Sequence, residues 1–228
     1  MTTFGVIQFP GFCDERDALG ACERVGAARL VWHEETDLSD LDAVVVPGGF
    51  SYGDYLRAGA IARFAPAMAA VAELAREGMP VLGICNGFQV LCEAGLLPGA
   101  LLPNSGLRFV CRQVEVEVVA AGSAWTVGLE PGERLSIPVK HAWGRYFAPP
   151  EELAELRERG QIALRYARGQ NPNGSLEDIA GVTNEAGNVL GLMPHPEHAV
   201  DRLTGSADGR RLFAAVAKAV AVPTTAAV

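Results

Sequence analysis

The sequence has no long apolar run and no excess of basic charge. None of its 228 residues belong to a stretch long enough to cross a membrane. The formal net charge of −8 argues against a dedicated nucleic-acid surface, because such a surface needs a basic patch to displace counterions from phosphates. We therefore expect small substrates or protein partners.

Paired cysteine motifs and targeting signals are also missing. The five cysteines form an odd set without CxxC spacing, which is typical of free thiols in a reducing cytoplasm. The segment Met1–Ile7 lacks the basic residues that begin a signal peptide, so we expect a cytoplasmic protein. No G-x-x-x-x-G-K-[ST] loop is present, and we expect no ATP to bind this chain by that route.

The first part of the chain alternates between apolar strand patterns and helix patterns. This alternation predicts an α/β fold with an open, mainly parallel sheet covered by helices on both faces. The predicted strands are Thr3–Phe9, Ala28–His33, Ala43–Val46 and Val81–Ile84, and the predicted helices are Asp14–Val25, Ile61–Glu77 and Phe88–Ala94.

The second part adds strands of another kind. From Leu107 to Val119 apolar and polar residues alternate with period two, which predicts extra antiparallel strands. A helix is expected at Pro150–Arg159, strands at Ile162–Tyr166, Ile179–Thr183 and Val189–Met193, and a closing helix at Ala207–Val220. With 49% hydrophobic residues, we predict a single domain over residues 1–222 and a frayed tail at Pro223–Val228.

A cysteine between two glycines marks the junction of a strand and a helix. Cys85 lies between Gly83 and Gly87, where the run Val81–Ile84 ends and the helix pattern begins. Glycine costs least where backbones approach closely, so the pattern predicts a nucleophile elbow with sulfur in place of oxygen. The helix N-terminus favours an anion, and we expect Cys85 to ionise readily and to point its thiolate outward. The structural alternative is a buried cysteine beneath a glycine turn.

A candidate base lies far downstream, in the segment that contains His195 and Glu197. Pro196 favours an extended conformation at His195, and residues i and i+2 of an extended segment project to the same side. A carboxylate at Glu197 would fix the imidazole tautomer and leave its other nitrogen for Cys85, while His198 would point elsewhere. A surface ion pair is the plain alternative. A metal site is a third option, but no further His or Cys has ligand-like spacing.

Backbone amides for an oxyanion are expected after the strand Ala43–Val46. A Gly-Gly turn at Gly48 and Gly49 can direct N–H groups into the crevice above the sheet. We expect the amide of Gly49 or Phe50, together with that of Asn86, to form an oxyanion hole. The alternative is an ordinary β-turn that joins a strand to a helix.

Three stretches together resemble the class I (triad-type) glutamine amidotransferases. They are Pro47–Gly49, Gly83–Gln89 and His195–Glu197, in the order of the family. The longer stretches Pro47–Arg57, Asn171–Ser175 and Gly191–Glu197, with Gly83–Gln89, extend the resemblance to one member of the family, a glutaminase subunit of purine biosynthesis. The resemblance implies a flavodoxin-like fold in which Cys85, His195 and Glu197 form the catalytic triad. It also implies that Gln89 contacts the substrate, whereas its helical position alone is equally compatible with an ordinary helix residue.

The resemblance further implies a reaction and a set of partners. Glutamine would be hydrolysed to glutamate and ammonia through a Cys85 thioester, with no metal or cofactor on this chain. The ammonia would pass to a large synthetase subunit of purine biosynthesis that binds ATP, Mg and formylglycinamide ribonucleotide, with a small accessory subunit in the same complex. Two rival hypotheses are a cysteine peptidase or thiol-sensing protein on a related fold, and a catalytically silent binding scaffold.

Overall fold

A nine-stranded sheet forms the centre of the molecule, in the order β2-β1-β3-β4-β11-β10-β9-β6-β7. The computed structural model describes residues 1–221, so the predicted fraying of Pro223–Val228 lies outside the described residues. One half of the sheet consists of parallel strands, as the alternating pattern predicts. These strands are β1 (Thr3–Gln8), β2 (Ala27–Trp32), β3 (Ala43–Val46), β4 (Val81–Ile84) and β11 (Val189–Leu192).

The other half of the sheet is antiparallel. It contains β6 (Val110–Val118), β7 (Arg134–His141), β9 (Ile162–Tyr166) and β10 (Ile179–Thr183), and a separate pair is formed by β5 (Ala100–Leu102) and β8 (Arg145–Phe147). The sequence did not predict β7, because Pro138 interrupts its pattern. Proline is tolerated there since β7 is the outermost strand, where a missing backbone donor costs least.

Five α-helices accompany the sheet among residues 1–221. They are α1 (Glu15–Glu23), α2 (Pro66–Arg76), α3 (Asn86–Glu93), α4 (Pro150–Glu158) and α5 (Arg210–Ala221). The prediction of one helix over Ile61–Glu77 is wrong at its start. A 3₁₀ turn at Ala62–Phe64 ends at Ala65, which is extended (ψ 142°) because a proline follows it, and Pro66 then opens α2. No helix in the described part of the chain is long and apolar enough to span a membrane.

The carboxyl ends of β3, β4 and β11 meet at one edge of the sheet. These three strands are neighbours and parallel, so the segments that follow them emerge side by side. They lead respectively to Gly48 and Gly49, to Cys85, and to His195. Ligands of open α/β sheets bind in this position, and the predicted convergence of the three segments on one crevice is confirmed.

Candidate active site

Cys85 occupies a strained turn between β4 and α3. Its backbone has φ 50° and ψ −103°, which a residue with a side chain rarely adopts. The turn depends on both neighbouring glycines. A Cβ on Gly83 would lie 2.8 Å from the Gly87 carbonyl oxygen, and one on Gly87 would overlap the Val46 carbonyl group, 2.6 Å from its carbon. The predicted elbow geometry is therefore present.

Cys85 is more covered than the outward-pointing thiolate that the sequence predicts. The residue is only 7% exposed, and its sulfur lies at a crevice that Lys140, His141 and Trp143 also line. Sγ lies 3.9 Å from the Lys140 carbonyl oxygen. The antiparallel strand β7 supplies this wall, and because the sequence did not reveal β7 it did not reveal the covering of the cysteine.

His195 and Glu197 form a buried pair beside the cysteine. His195 Nδ1 lies 2.6 Å from Glu197 Oε1, and both side chains are almost inaccessible to solvent. Burial lowers the pKa of His195, but the Glu197 carboxylate and the Cys85 sulfur outweigh this and raise it to about 10. Because Nδ1 is occupied and Nε2 has no hydrogen-bond partner among the described residues, Nε2 is the nitrogen available to the thiol and to a substrate.

The backbone brings His195 and Glu197 together in a different way from the one predicted. His195 itself is extended (φ −105°, ψ 87°), and its amide donates to the Pro138 carbonyl oxygen at 2.8 Å. A 3₁₀ turn at Pro196–His198 follows directly. The proximity of the two side chains thus comes from this turn, and not from the same-side projection of an extended segment.

His198 joins the same cluster, and the prediction that it points elsewhere is wrong. Its Nε2 lies 3.2 Å from Asp14 Oδ1 and 3.6 Å from Glu197 Oε1. The 3₁₀ turn is again the reason, because it rotates successive side chains by about a third of a turn instead of alternating them.

Asp14 is a buried carboxylate that the sequence did not single out. It is 3% exposed, it forms an ion pair with Lys140 Nζ, and its Oδ2 lies 3.6 Å from His195 Nδ1. Burial raises the pKa of Asp14, but hydrogen bonds from His198 and Lys140 outweigh burial and hold that pKa well below its usual range. Asp14 is therefore anionic beside His195.

Four side chains in this cluster each offer an atom that could bind a metal ion, and these atoms all lie within 4.8 Å of one another. The four residues are Asp14, His195, Glu197 and His198. Their atoms already bond to each other and to Lys140, as described above. The carboxylates thereby have cationic partners without an ion. We interpret the cluster as a hydrogen-bonded network around His195.

The amides predicted to form an oxyanion hole are not equivalent. The Phe50 amide donates to the Gly11 carbonyl oxygen at 3.0 Å and is not free. The amides of Gly49 and Asn86 donate to no acceptor within residues 1–221. Gly49 has φ 149°, and a Cβ there would lie 2.6 Å from Phe12 Cα. Of the two alternatives left open by the sequence, Gly49 is the one with an available donor.

Side chains at the start of α3 connect two loops around the crevice. Asn86 Oδ1 accepts from the Ser51 amide at 3.0 Å, and its Nδ2 donates to Asp54 Oδ1 at 3.0 Å and to Gln89 Oε1 at 2.7 Å. Gln89 Nε2 in turn donates to the Trp143 carbonyl oxygen at 2.5 Å. Gln89 lines the crevice, but in this conformation its amide is engaged with the protein.

The loop that carries Trp143 is held by two buried asparagines. Asn173 Nδ2 lies 3.0 Å from His141 Nε2 and 2.8 Å from the Gly144 carbonyl oxygen. Asn104 donates to the His141 carbonyl oxygen and accepts from the Gly144 amide. Burial and repulsion by His195 lower the pKa of His141 to about 3, so this ring is neutral. The segment Asn171–Ser175 thus has a structural role that its turn-like composition did not reveal.

Comparisons with known proteins are consistent with this geometry. Residues 3–215 match the CobB/CobQ-like glutamine amidotransferase domain. The chain is 58% identical over 214 residues to phosphoribosylformylglycinamidine synthase subunit PurQ of Frankia casuarinae, covering 93% of this chain and 91% of the relative. It is 59% identical over 213 residues to the protein of the same name from Rubrobacter xylanophilus, covering 93% and 96%.

Solved structures give the same picture. A chain in the structure of PurLQS from Thermotoga maritima superposes with a TM-score of 0.88 at 41% identity, covering 96% of this chain and 99% of that one. A Thermoplasma acidophilum protein that is named for GMP synthase superposes with a TM-score of 0.65 at 17% identity, covering 97% and 94%, which establishes a shared fold only.

Proposed function

The chain belongs to the CobB/CobQ-like glutamine amidotransferase family, and from this premise we propose that it is the glutaminase subunit of a phosphoribosylformylglycinamidine synthase. The observation that carries the proposal is the buried Cys85, His195 and Glu197 arrangement at the ends of β4 and β11. The high identity to two relatives named phosphoribosylformylglycinamidine synthase subunit PurQ supports glutamine as the substrate and purine biosynthesis as the pathway.

The first half of the reaction forms a thioester. Cys85 Sγ attacks the side-chain carboxamide carbon of glutamine, and the amides of Gly49 and Asn86 stabilise the oxyanion. His195 donates the proton on Nε2 to the amide nitrogen, the C–N bond breaks and ammonia leaves. The raised pKa of His195 suits it to this step, because the ring is charged before the substrate arrives.

The second half releases glutamate. His195, now neutral, accepts a proton from water as the water oxygen attacks the thioester carbon. The C–S bond then breaks and the thiolate of Cys85 is regenerated beside the imidazolium. Glu197 accepts the hydrogen bond from Nδ1 in both halves, which holds the ring and stabilises its charged form.

The ammonia is used by partner subunits. A large synthetase subunit binds ATP, Mg and formylglycinamide ribonucleotide and makes formylglycinamidine ribonucleotide, and a small accessory subunit completes the complex. The similar Thermotoga chain belongs to PurLQS, which supports partner subunits for this chain. The five free thiols suit a cytoplasmic complex.

Partner contacts lie at the crevice rim, in the segments Ser51–Arg57 and Lys140–Tyr146. Tyr55, Leu56 and Trp143 expose large apolar surfaces there. The first segment is strained, with positive φ at Tyr52, Asp54 and Leu56, and Asn86 bonds it to the start of α3. Docking on this segment would reorient the oxyanion amide of Gly49, a population shift that needs only a few kcal/mol of differential binding.

The proposal is tested by glutaminase kcat/KM for the chain alone and for the chain mixed with the synthetase, Mg-ATP and formylglycinamide ribonucleotide. We expect low activity alone and a large increase on mixing. Full activity in isolation that does not change on mixing would instead indicate a stand-alone amidase.

A further inference from the structure

Asp14 contributes a second carboxylate to His195. Glu197 Oε1 lies 2.6 Å from His195 Nδ1, and Asp14 Oδ2 lies 3.6 Å from the same nitrogen. Only one of them can take the single proton on Nδ1 in a short hydrogen bond. Asp14 therefore acts on the ring mainly through its charge, which attracts the imidazolium and not the neutral ring.

The position of Asp14 is fixed from several sides. Lys140 Nζ and His198 Nε2 both contact Oδ1, which leaves Oδ2 directed toward His195. Gly48 leaves the necessary space, because a Cβ there would lie 2.5 Å from Asp14 Oδ2 and 2.8 Å from His195 Cε1. The carboxylate and the ring are thus packed against the same glycine.

Lys140 links this pair to the crevice and to the cysteine. Its side chain is 30% exposed, and its carbonyl oxygen is the one that Cys85 Sγ contacts. The Lys140 ammonium neutralises part of the charge on Asp14 and so weakens the attraction of Asp14 for a charged His195. Lys140 and Asp14 consequently act on His195 with opposite sign although they form one ion pair.

We propose that Asp14 is a positioning residue of the glutaminase reaction, which holds His195 in its charged form against Cys85 and is itself held by Lys140. The inference rests on the proposed function, because it assigns Asp14 a part in that same reaction. Glu197 orients the ring through a hydrogen bond, whereas Asp14 stabilises its charge from the side of Gly48.

The charged and titratable groups that the structure describes around His195 determine the expected pH dependence. They are Glu197 and His198 from its own segment, Asp14 from the loop before α1, Cys85 from the elbow, and Lys140 and His141 from β7. His141 is neutral over the working range and does not contribute a charge. Cys13 lines the same crevice and lies next to Asp14, so its labelling must be followed separately.

The test is the pH profile of Cys85 alkylation by iodoacetamide, measured on the full chain with the modified residue located by mass spectrometry. The upper inflection of this profile marks the pH at which His195, next to the Cys85 thiolate, loses its proton. In Asp14→Asn we expect this inflection to move to lower pH by about one unit, because a favourable charge at this distance is lost. In Lys140→Gln we expect it to move to higher pH.

Activity in the complex provides the second readout. In Asp14→Asn the upper inflection of the kcat profile is expected to move to lower pH by about one unit, so that glutamine-dependent kcat is about tenfold lower above this inflection. Near pH 7, where His195 keeps its proton in both proteins, kcat and the KM for glutamine should each change less than twofold. Asp17→Asn removes the same charge from the exposed face of α1 and is the matched control, with an unchanged inflection and kcat. Melting temperatures of all variants show whether the fold is retained.

Several outcomes would overturn the inference. An unchanged inflection in Asp14→Asn would do so, as would a shift in the same direction in Asp14→Asn and Lys140→Gln, which would indicate a structural role only. These results are distinguishable from failure of the proposed function, which would appear as absent glutaminase activity in the wild-type chain with its synthetase.

Discussion

The carboxyl end of β3 lies directly against the first turn of α3, with the Val46 carbonyl carbon 2.6 Å from the position of a Cβ on Gly87. Strand and helix can approach this closely only because residue 87 has no side chain. The approach holds the turn that carries Gly49 beside the elbow that carries Cys85, and so sets the position of both amides of the proposed oxyanion hole.

Substitution of Gly87 by alanine is therefore expected to be severe. Gly87→Ala forces strand and helix apart, and we expect it to lower the free energy of unfolding by about 3 kcal/mol, the upper end for overpacking. Gly20→Ala is the matched control, since nothing lies within 4 Å of an added Cβ in α1 and a helical Gly-to-Ala change stabilises by about 0.5–1 kcal/mol. Urea unfolding of both variants checks this, and equal stabilities would refute it.

Loss of the Cys85 thiol should distinguish the glutaminase activity of this chain from the synthetase activity of its partner. Cys85→Ala is expected to abolish glutamine-dependent synthesis, while ammonia-dependent synthesis survives because free ammonia bypasses the thioester. Both rates can be measured on the assembled enzyme. Ordinary glutaminase activity in Cys85→Ala would rule out the thioester mechanism. Cys111→Ala, which removes an exposed thiol that does not line the crevice, serves as the control.

The base and its orienting carboxylate should differ in their effects. His195→Ala removes the proposed proton donor, and the loss of such a group typically costs about 10²–10⁴-fold in rate. Glu197→Gln keeps a polar partner near Nδ1 and should retain a measurable remainder. Steady-state glutaminase assays of both variants in the complex decide the point. Wild-type rates in both would remove this pair from the mechanism.

Asn173 holds the loop that carries Trp143 at the edge of the crevice, and we expect this contact to control glutamine binding. Asn173→Ala removes the hydrogen bonds to His141 and to the Gly144 carbonyl, so the Trp143 loop loosens and we expect a raised KM for glutamine with a smaller change in kcat. The free energy of unfolding should fall by about 2 kcal/mol, because buried partners are left unpaired. Asn184→Ala breaks a comparable asparagine contact outside the crevice and should alter stability alone. A raised KM in Asn184→Ala, or an unchanged KM in Asn173→Ala, would contradict this.

Local patterns in the sequence were sufficient for the parallel half of the sheet and for the elbow. The predicted bounds Ala43–Val46 and Val81–Ile84 are those of β3 and β4, because buried parallel strands are continuous apolar runs. The sequence indicates Cys85 because the close packing of the turn requires glycine at positions 83 and 87. A steric requirement of this kind is visible in the residues next to the site.

Contacts between residues that are far apart in the sequence could not be predicted from local patterns. Asp14 and Lys140 are 126 positions apart, and neither belongs to a local pattern that marks it as part of the site. The edge strand β7, which brings Lys140 and His141 to the cysteine, contains Pro138 and so did not fit a strand pattern. His198 was placed wrongly because the sequence suggested an extended chain where a 3₁₀ turn occurs.

The central claim is that Cys85 is the nucleophile for glutamine, and covalent labelling tests it most directly. The full chain, with its synthetase and ligands present, is treated with a glutamine-mimicking alkylating agent, and the adduct is located by mass spectrometry with and without excess glutamine. The account predicts a single adduct on Cys85 that glutamine suppresses. Labelling of Cys13 or Cys111 instead, or labelling of Cys85 that glutamine does not suppress, would contradict it and would favour a peptidase, a thiol sensor or a silent scaffold.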